Sequence, residues 1–176
     1  SRAALSFTID QAAHGLTGLN AIDALLVMAI NQANIVLLTH DPGARRAYRG
    51  LETPAPDESR RPVSVNAIAT SLALPFETVR RHIGRLEAVD VCRHAGRGVI
   101  VPAAYLNSEA YRQDVMGAHA RLARLYQDLS AADLLEPLPP SAFALSVDPP
   151  IRAAARLLSD FLLRTADILT RQTQDI

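Results

Sequence analysis

Hydrophobic and polar positions recur with helical spacing over most of the chain, and they predict an α-helical protein. Residues 20–38 form the most apolar run. Asn20, Asp23, Asn31 and Asn34 fall near one stripe of a helix, and the rest of its circumference is apolar, so we expect burial on most sides. These polar groups argue against a membrane span, because they are costly in hydrocarbon. The pattern favours a helix covered in part by a second subunit over the core helix of a monomer.

Three further helices are predicted at about residues 43–51, 103–129 and 151–172. Residues 52–61 are rich in proline and charge and predict an exposed linker. Residues 133–150 contain five prolines and predict an irregular crossing. The inward-facing positions of the last two helices are expected to be Tyr111, Val115, Leu122, Leu125, Tyr126 and Leu129, and then Ile151, Ala155, Leu158, Phe161, Leu162 and Leu169.

The central residues 60–102 have the pattern of two short helices joined by a tight turn. Ser64 is suited to cap a helix over residues 65–72, because its hydroxyl can accept from a free backbone N–H. A turn at residues 73–74 and Pro75 then introduce a helix over residues 76–88. Val79, Ile83 and Leu86 give that helix an apolar inner face at spacing i, i+4, i+7.

The other side of the second helix is polar and basic. At about 100° per residue, three side chains lie opposite the core and three lie on its flanks: Glu77, Arg81 and Arg85 opposite, Thr78 and His82 on one flank, and Arg80 on the other. Arginine can donate two hydrogen bonds to guanine in the major groove. Glu77 could accept from a cytosine amino group, or pair with Arg81 and orient it.

A β-hairpin is predicted after this helix. Asp90 can end the helix, since Asp tolerates a left-handed backbone. A strand beginning at residues 91–92, a tip at 93–98 and a return strand at 99–101 follow. Gly96 and Gly98 allow a tight turn and a close backbone approach. Arg97 between them is placed to enter a minor groove, whose negative potential attracts arginine.

This segment resembles the winged helix–turn–helix regulators, most closely the GntR type, with the MarR type as a neighbour. The resembling positions are Pro62-Val63-Ser64, Ala69, Leu72, Thr78-Val79-Arg80-Arg81, Ile83, Leu86 and Gly96-Arg97-Gly98. The resemblance covers roughly a quarter of the chain. It implies that Thr78, Arg80, Arg81 and Arg97 contact DNA. Ala73 and Asp90 depart from the pattern, since the family usually has glycine at both places.

Charge is distributed unevenly although the net charge is zero. Residues 60–97 hold seven arginines against three acids, and the remainder holds eleven against fifteen. A basic module on an acidic body is typical of a DNA-binding domain attached to a scaffold. Cys92 is the single cysteine, so no disulfide can form within one chain and a reducing, cytoplasmic setting is favoured. Cys92 itself is expected to be a core residue.

Catalytic motifs are absent from the sequence. The five histidines show no helical zinc spacing, and there is no phosphate loop, dinucleotide-binding pattern or nucleophile elbow. We therefore expect neither an enzyme nor a cofactor or metal. An enzyme of unseen type stays a distant alternative.

Taken together, the sequence predicts a mainly α protein with a winged helix–turn–helix and a small hairpin wing embedded in flanking helices. Residues 1–59 are expected to be an N-terminal helical segment and linker that takes part in dimerisation, 60–102 the winged helix–turn–helix DNA-binding domain, and 103–176 a C-terminal helical dimerisation and possible sensor region. The expected function is transcriptional regulation by a homodimer on palindromic double-stranded DNA, with an unknown small-molecule effector conceivable and no membrane partner. The alternative is a winged-helix protein-interaction module. The expected DNA contacts are Ser64, Glu77, Thr78, Arg80, Arg81, His82, Arg85 and Arg97.

Overall fold

Helices dominate the chain, and a single short β-hairpin accompanies them in the part that the structure describes. The computed structural model describes residues 2–135 and 149–174. Its helices are α1 (Arg2–His14), α2 (Ala21–His40), α3 (Pro42–Ala47), α4 (Val65–Ser71), α5 (Phe76–Glu87), α6 (Ala103–Leu106), α7 (Glu109–Ala131) and α8 (Ile151–Gln174), with a 3-10 turn at Asp57–Ser59. The strands β1 (Arg93–Ala95) and β2 (Gly98–Ile100) pair antiparallel. The predicted mainly α class with a small hairpin is confirmed.

The main hydrophobic core joins α2 to the helix pair α4–α5 and to the hairpin. Leu26, Val27 and Ile30 of α2 are at most 1% exposed. They belong to one buried cluster with Ile68, Ala69, Val79, Ile83, Leu86, Val91, Cys92, Val99, Val101 and Leu106. The core therefore extends across the domain boundary predicted at residue 60.

The polar stripe of α2 faces inward, onto the hairpin and the helix pair. The Asn34 side chain donates to the carbonyls of Arg61 (2.9 Å) and Val99 (3.1 Å) and accepts from the Val101 N–H (2.9 Å). Asn31 accepts from the guanidinium of Arg60 at 3.1 Å. Buried polar groups need such partners, because an unpaired one costs several kcal/mol. By length and composition alone, α2 could also cross a membrane.

A second layer is formed by α1, α7 and α8. Helix α7 packs against both α1 and α8, and α8 packs against α2. Arg152, in the first turn of α8, is buried and donates to the carbonyls of Leu51 (2.8 Å) and Leu106 (2.9 Å). It therefore ties the start of α8 to two distant connections.

Several predicted boundaries are wrong. The helix expected over residues 103–129 is broken, because Ser108 caps α7 by accepting from the Tyr111 N–H at 3.3 Å. The helix expected to reach residue 51 ends at Ala47. The hairpin tip is shorter than predicted: residues 93–95 and 98 belong to strands that begin later than residue 91, so only Gly96 and Arg97 turn the chain.

Predicted exposure also needs correction at three places. The segment 52–61 is not fully exposed: Ala55 and Arg60 are buried, because the Arg60 Nε donates to the Ala55 carbonyl at 3.1 Å. Tyr126 and Phe161 were expected to face inward but are 41% and 44% exposed, since α7 and α8 pack through other sides. Most of the irregular crossing predicted at 133–150 (residues 136–148) and the side chain of Leu169 lie outside the described part.

Candidate nucleic-acid interface

The helix pair α4–α5 is shaped by local sequence. The Ser64 hydroxyl accepts from the Ala67 N–H at 3.2 Å and caps α4, as predicted. In the turn, Ala73 has φ of 51°, and after α5 Asp90 has φ of 56°. The regulators that this segment resembles usually have glycine at these two positions. Both Ala73 and Asp90 adopt the left-handed backbone that glycine favours. The two departures therefore change the side chain and keep a glycine-like conformation.

The outward face of α5 is polar and largely exposed. Val79, Ile83 and Leu86 are buried as predicted, while Thr78 is half-buried. The charged side chains exposed on α5 are Glu77, Arg80, Arg81 and Arg85.

Glu77 forms an ion pair with Arg80. Its Oε2 accepts from the Nε (2.9 Å) and Nη2 (2.8 Å) of Arg80, so the pairing with Arg81, one of the two alternatives for Glu77, does not form. Arg81 has no hydrogen bond or ion pair to any residue that the structure describes. Its guanidinium is thus left available for a partner from outside.

His82 was predicted on the outer flank, but it is buried at 5% exposure. Its Nδ1 lies 2.5 Å from Asp23 Oδ1 of α2, and because a carboxylate can only accept, Nδ1 carries the donated proton. The Nη2 atom of Arg85 lies 2.8 Å from Nδ1 and 3.0 Å from Nε2, which places it over the face of the imidazole ring. His82 thus positions Arg85 from beneath and is not itself exposed as a contact.

Two glycines shape the hairpin, each in the way predicted. Gly96 has φ of 58° at the first position of a two-residue turn, where a type II′ turn requires a positive φ. A Cβ on Gly98 would lie 2.8–2.9 Å from the backbone of Val63. That approach is close because Val63 pairs with Val99, extending the hairpin by one further bridge.

The hairpin is fixed beside the end of α5. Glu87 Oε1 accepts from the backbone N–H of His94 at 2.8 Å and lies 2.5 Å from its Nδ1. On the other side, Arg93 donates to Asp57 at 3.0 Å. Burial opposes ionisation of Asp57, but hydrogen bonds from Ala103 and Arg93 outweigh it and hold the pKa of its carboxyl below the usual value. Sequence analysis missed Asp57 and Glu87, because their partners lie in the hairpin.

Arg97 stands at the tip of this anchored hairpin. It is exposed and, among the described residues, has no hydrogen-bonding or charged partner. The arrangement therefore presents two uncommitted guanidinium groups, on Arg81 and Arg97, from rigid elements of one folded unit. Such groups can donate to phosphate oxygens or to base edges.

Possible metal ligands are dispersed among the described residues, and the single thiol is buried. They hold no group of three or more His, Cys, Asp or Glu side chains that could bind a metal ion. Cys92 is 1% exposed, and burial raises the pKa of its thiol to about 12, so it is protonated at neutral pH. Its position fits the expected core role.

No protein-family model, curated protein or solved structure gives a significant match to the chain.

Proposed function

We propose that this protein is a winged helix–turn–helix transcriptional regulator that binds DNA as a homodimer. The observation that carries the proposal is the pair of exposed, uncommitted arginines, Arg81 on α5 and Arg97 at the hairpin tip. Neither has an acidic partner within the described chain, although the surrounding residues supply acids to Arg80 and Arg93.

The order of the secondary-structure elements supports the winged-helix interpretation. Helix α2, the bridged residue Val63, the helices α4 and α5 and the paired strands β1 and β2 follow one another in the order of that domain. In this reading α2 is the first helix of the DNA-binding unit. Its polar stripe is satisfied internally, so we propose a core helix of a cytoplasmic protein rather than a membrane span.

Recognition would divide between α5 and the hairpin. Arg81 would donate two hydrogen bonds to a guanine in the major groove. Arg80 and Arg85 would reach phosphates from orientations fixed by Glu77 and His82, and Ser64 with Thr78 would add neutral phosphate contacts. Arg97 would enter the adjacent minor groove. His82 is left out of the contact set, because it is buried.

Dimerisation is proposed through the helical layer. Leu157, Phe161 and Ile168 of α8 are 72%, 44% and 56% exposed. At 100° per residue they fall within one narrow stripe of the helix, and a second copy would cover it. Two-fold symmetry then requires a palindromic site with half-sites about one helical turn apart.

One observation favours a protein-interaction module as the second candidate. Phe76 at the start of α5 and Val89 just beyond its end are 44% and 62% exposed. Apolar side chains at both ends of the same helix suit a protein partner better than a phosphate backbone. No catalytic role is proposed.

The test is selection of genomic DNA fragments by the full chain, beside Arg81→Ala and the control Arg124→Ala. Arg124 is exposed on α7, outside the proposed interface. Enrichment of one palindromic sequence by the parent and the control, with loss in Arg81→Ala, supports the proposal. Binding through several arginines should also weaken steeply with added salt. Absence of enrichment even at low salt would reject it in favour of the protein-interaction module.

A further inference from the structure

A cavity of about 480 Å³ lies between α1, α2, α7 and α8. Its volume falls in the range of small-molecule sites, which is roughly 300–1,000 Å³. Most of its wall is aliphatic, with Leu25 and Met28 from α2, Val115 from α7, and Leu158 and Leu162 from α8. Such a wall suits an apolar body of flexible shape.

One cationic side chain in this wall has no carboxylate partner among the described residues. Arg121 of α7 lines the cavity, and its Nε donates to the Oε1 of buried Gln11 on α1. Gln11 is neutral, and no carboxylate of the described chain lies within ion-pair distance of Arg121. A partly buried cation pays a desolvation cost that an anion can offset.

The acid in the same wall is already committed. Asp114, two helical turns before Arg121, accepts from the Thr17 N–H at 2.9 Å and from the Thr17 hydroxyl at 2.6 Å. Both of its oxygens therefore hold the turn between α1 and α2. The lining thus carries one charge of each sign, but the oxygens of the acid are engaged by Thr17, whereas Arg121 is engaged, among the described residues, only by neutral Gln11.

We propose that this cavity binds a small amphipathic carboxylate, with the carboxylate on Arg121 and the apolar body against the aliphatic wall. The chemistry is that of a medium-chain aliphatic acid. Binding does not depend on the proposed DNA contacts, so failure of one leaves the other standing.

The site shares α2 with the main core. Leu25 and Met28 face the cavity, while Leu26 and Ile30 of the same helix belong to the core beneath α5. A ligand that orders α2 would therefore act on the element that carries Asp23 and Asn34. This gives the carboxylate a direct physical route to the hairpin and to α5.

The test uses calorimetric titration of the full chain with decanoate, decan-1-ol and decylammonium. We expect decanoate to bind once per chain and at least tenfold more tightly than decylammonium. In Arg121→Met, the affinity for decanoate should fall at least tenfold, whereas the affinity for decan-1-ol should not change. Arg124→Met removes an exposed arginine of the same helix and should leave all three probes unaffected.

A cavity-filling variant locates the site. Ala118 lines the cavity, whereas Ala123 on the same helix is exposed. Ala118→Leu should lower the affinity for both decanoate and decan-1-ol, whereas Ala123→Leu should change neither affinity. Thermal unfolding of each variant establishes that it is folded. Absence of decanoate binding to the parent, tighter binding of decylammonium, or unchanged decanoate affinity in folded Arg121→Met would overturn the proposal.

Discussion

His82 of α5 and Asp23 of α2 are joined by a hydrogen bond of 2.5 Å within the main core. The Asp23 carboxylate also accepts from the Asn20 side chain at 2.7 Å, at the start of α2. The bond fixes α5 against α2 and fixes the face of His82 that Arg85 approaches. The same buried pair therefore contributes to the stability of the fold and to the position of Arg85 on the outward face of α5.

Breaking that pair should destabilise the fold. His82→Ala leaves the Asp23 carboxylate buried beside a void, and a buried acceptor without its donor costs about 1–3 kcal/mol. Urea denaturation of His82→Ala, Asp23→Asn and the double variant measures the coupling energy, which we expect to exceed about 1 kcal/mol. His40→Ala, at the exposed end of α2, is the control and should stay within about 0.5 kcal/mol of the parent. Strictly additive losses would show that the two side chains do not interact.

Alanine substitutions of the two arginines proposed to bind DNA should weaken binding in different ways. Arg81→Ala should cost about 1–3 kcal/mol on the selected sequence and relax preference at one base pair. Arg97→Ala should weaken binding to all sequences more evenly and reduce the salt slope by about one unit. Titrations of the selected and a scrambled duplex at several salt concentrations measure both effects. Equal, small losses on every sequence for both variants would remove the base-reading role of Arg81.

Gly98 and Gly84 offer a matched pair of glycine-to-alanine changes. A Cβ at position 98 would meet the Val63 backbone at 2.8–2.9 Å, so Gly98→Ala should cost about 1–3 kcal/mol through overpacking. At position 84, in the middle of α5, the Cβ meets nothing within 4 Å. Gly84→Ala should therefore gain about 0.5–1 kcal/mol from helix propensity. Chemical denaturation gives both values, and a neutral Gly98→Ala would contradict the close approach.

The buried thiol of Cys92 should make the stability of the fold decrease as the pH rises in the alkaline range. Its thiol ionises near pH 9.0 when unperturbed, and burial raises the pKa of the folded thiol to about 12. Between these values the folded chain binds more protons than the unfolded chain, so stability falls as pH rises, by about 1.4 kcal/mol per unit for this group. Below pH 9 its contribution is constant.

The measurement compares unfolding free energies of the parent and Cys92→Ala from pH 8 to 10.5. The advantage of the parent over the variant should shrink above pH 9.0. The native thiol should also resist a disulfide reagent at neutral pH until the chain unfolds. Parallel pH profiles, or rapid labelling of the native protein, would contradict a buried thiol.

Local rules were sufficient to predict the elements of the basic segment. Ser64, Pro75, Gly96 and the spacing of Val79, Ile83 and Leu86 each act within one turn of chain, so their effects can be derived from neighbouring residues. The left-handed backbone at Asp90 follows from its side-chain type in the same way.

Long-range partners explain what the sequence could not predict. His82 lies on the flank of α5, where it is exposed or buried according to what packs there, and its partner is 59 residues away. Arg60 looked like a linker charge, but Asn31 and the Ala55 carbonyl accept its hydrogen bonds. The cavity requires four helices from both ends of the chain, so no local pattern could indicate it.

Asn34 has a practical consequence for anyone who wishes to transplant the basic segment. It satisfies backbone groups at Arg61, Val99 and Val101 from a helix that ends before that segment begins. A fusion that carries only residues 60–102 would leave those groups to water and remove one wall of the core. The smallest portable unit should therefore start before Asn20, so that the capped helix travels with the hairpin that it supports.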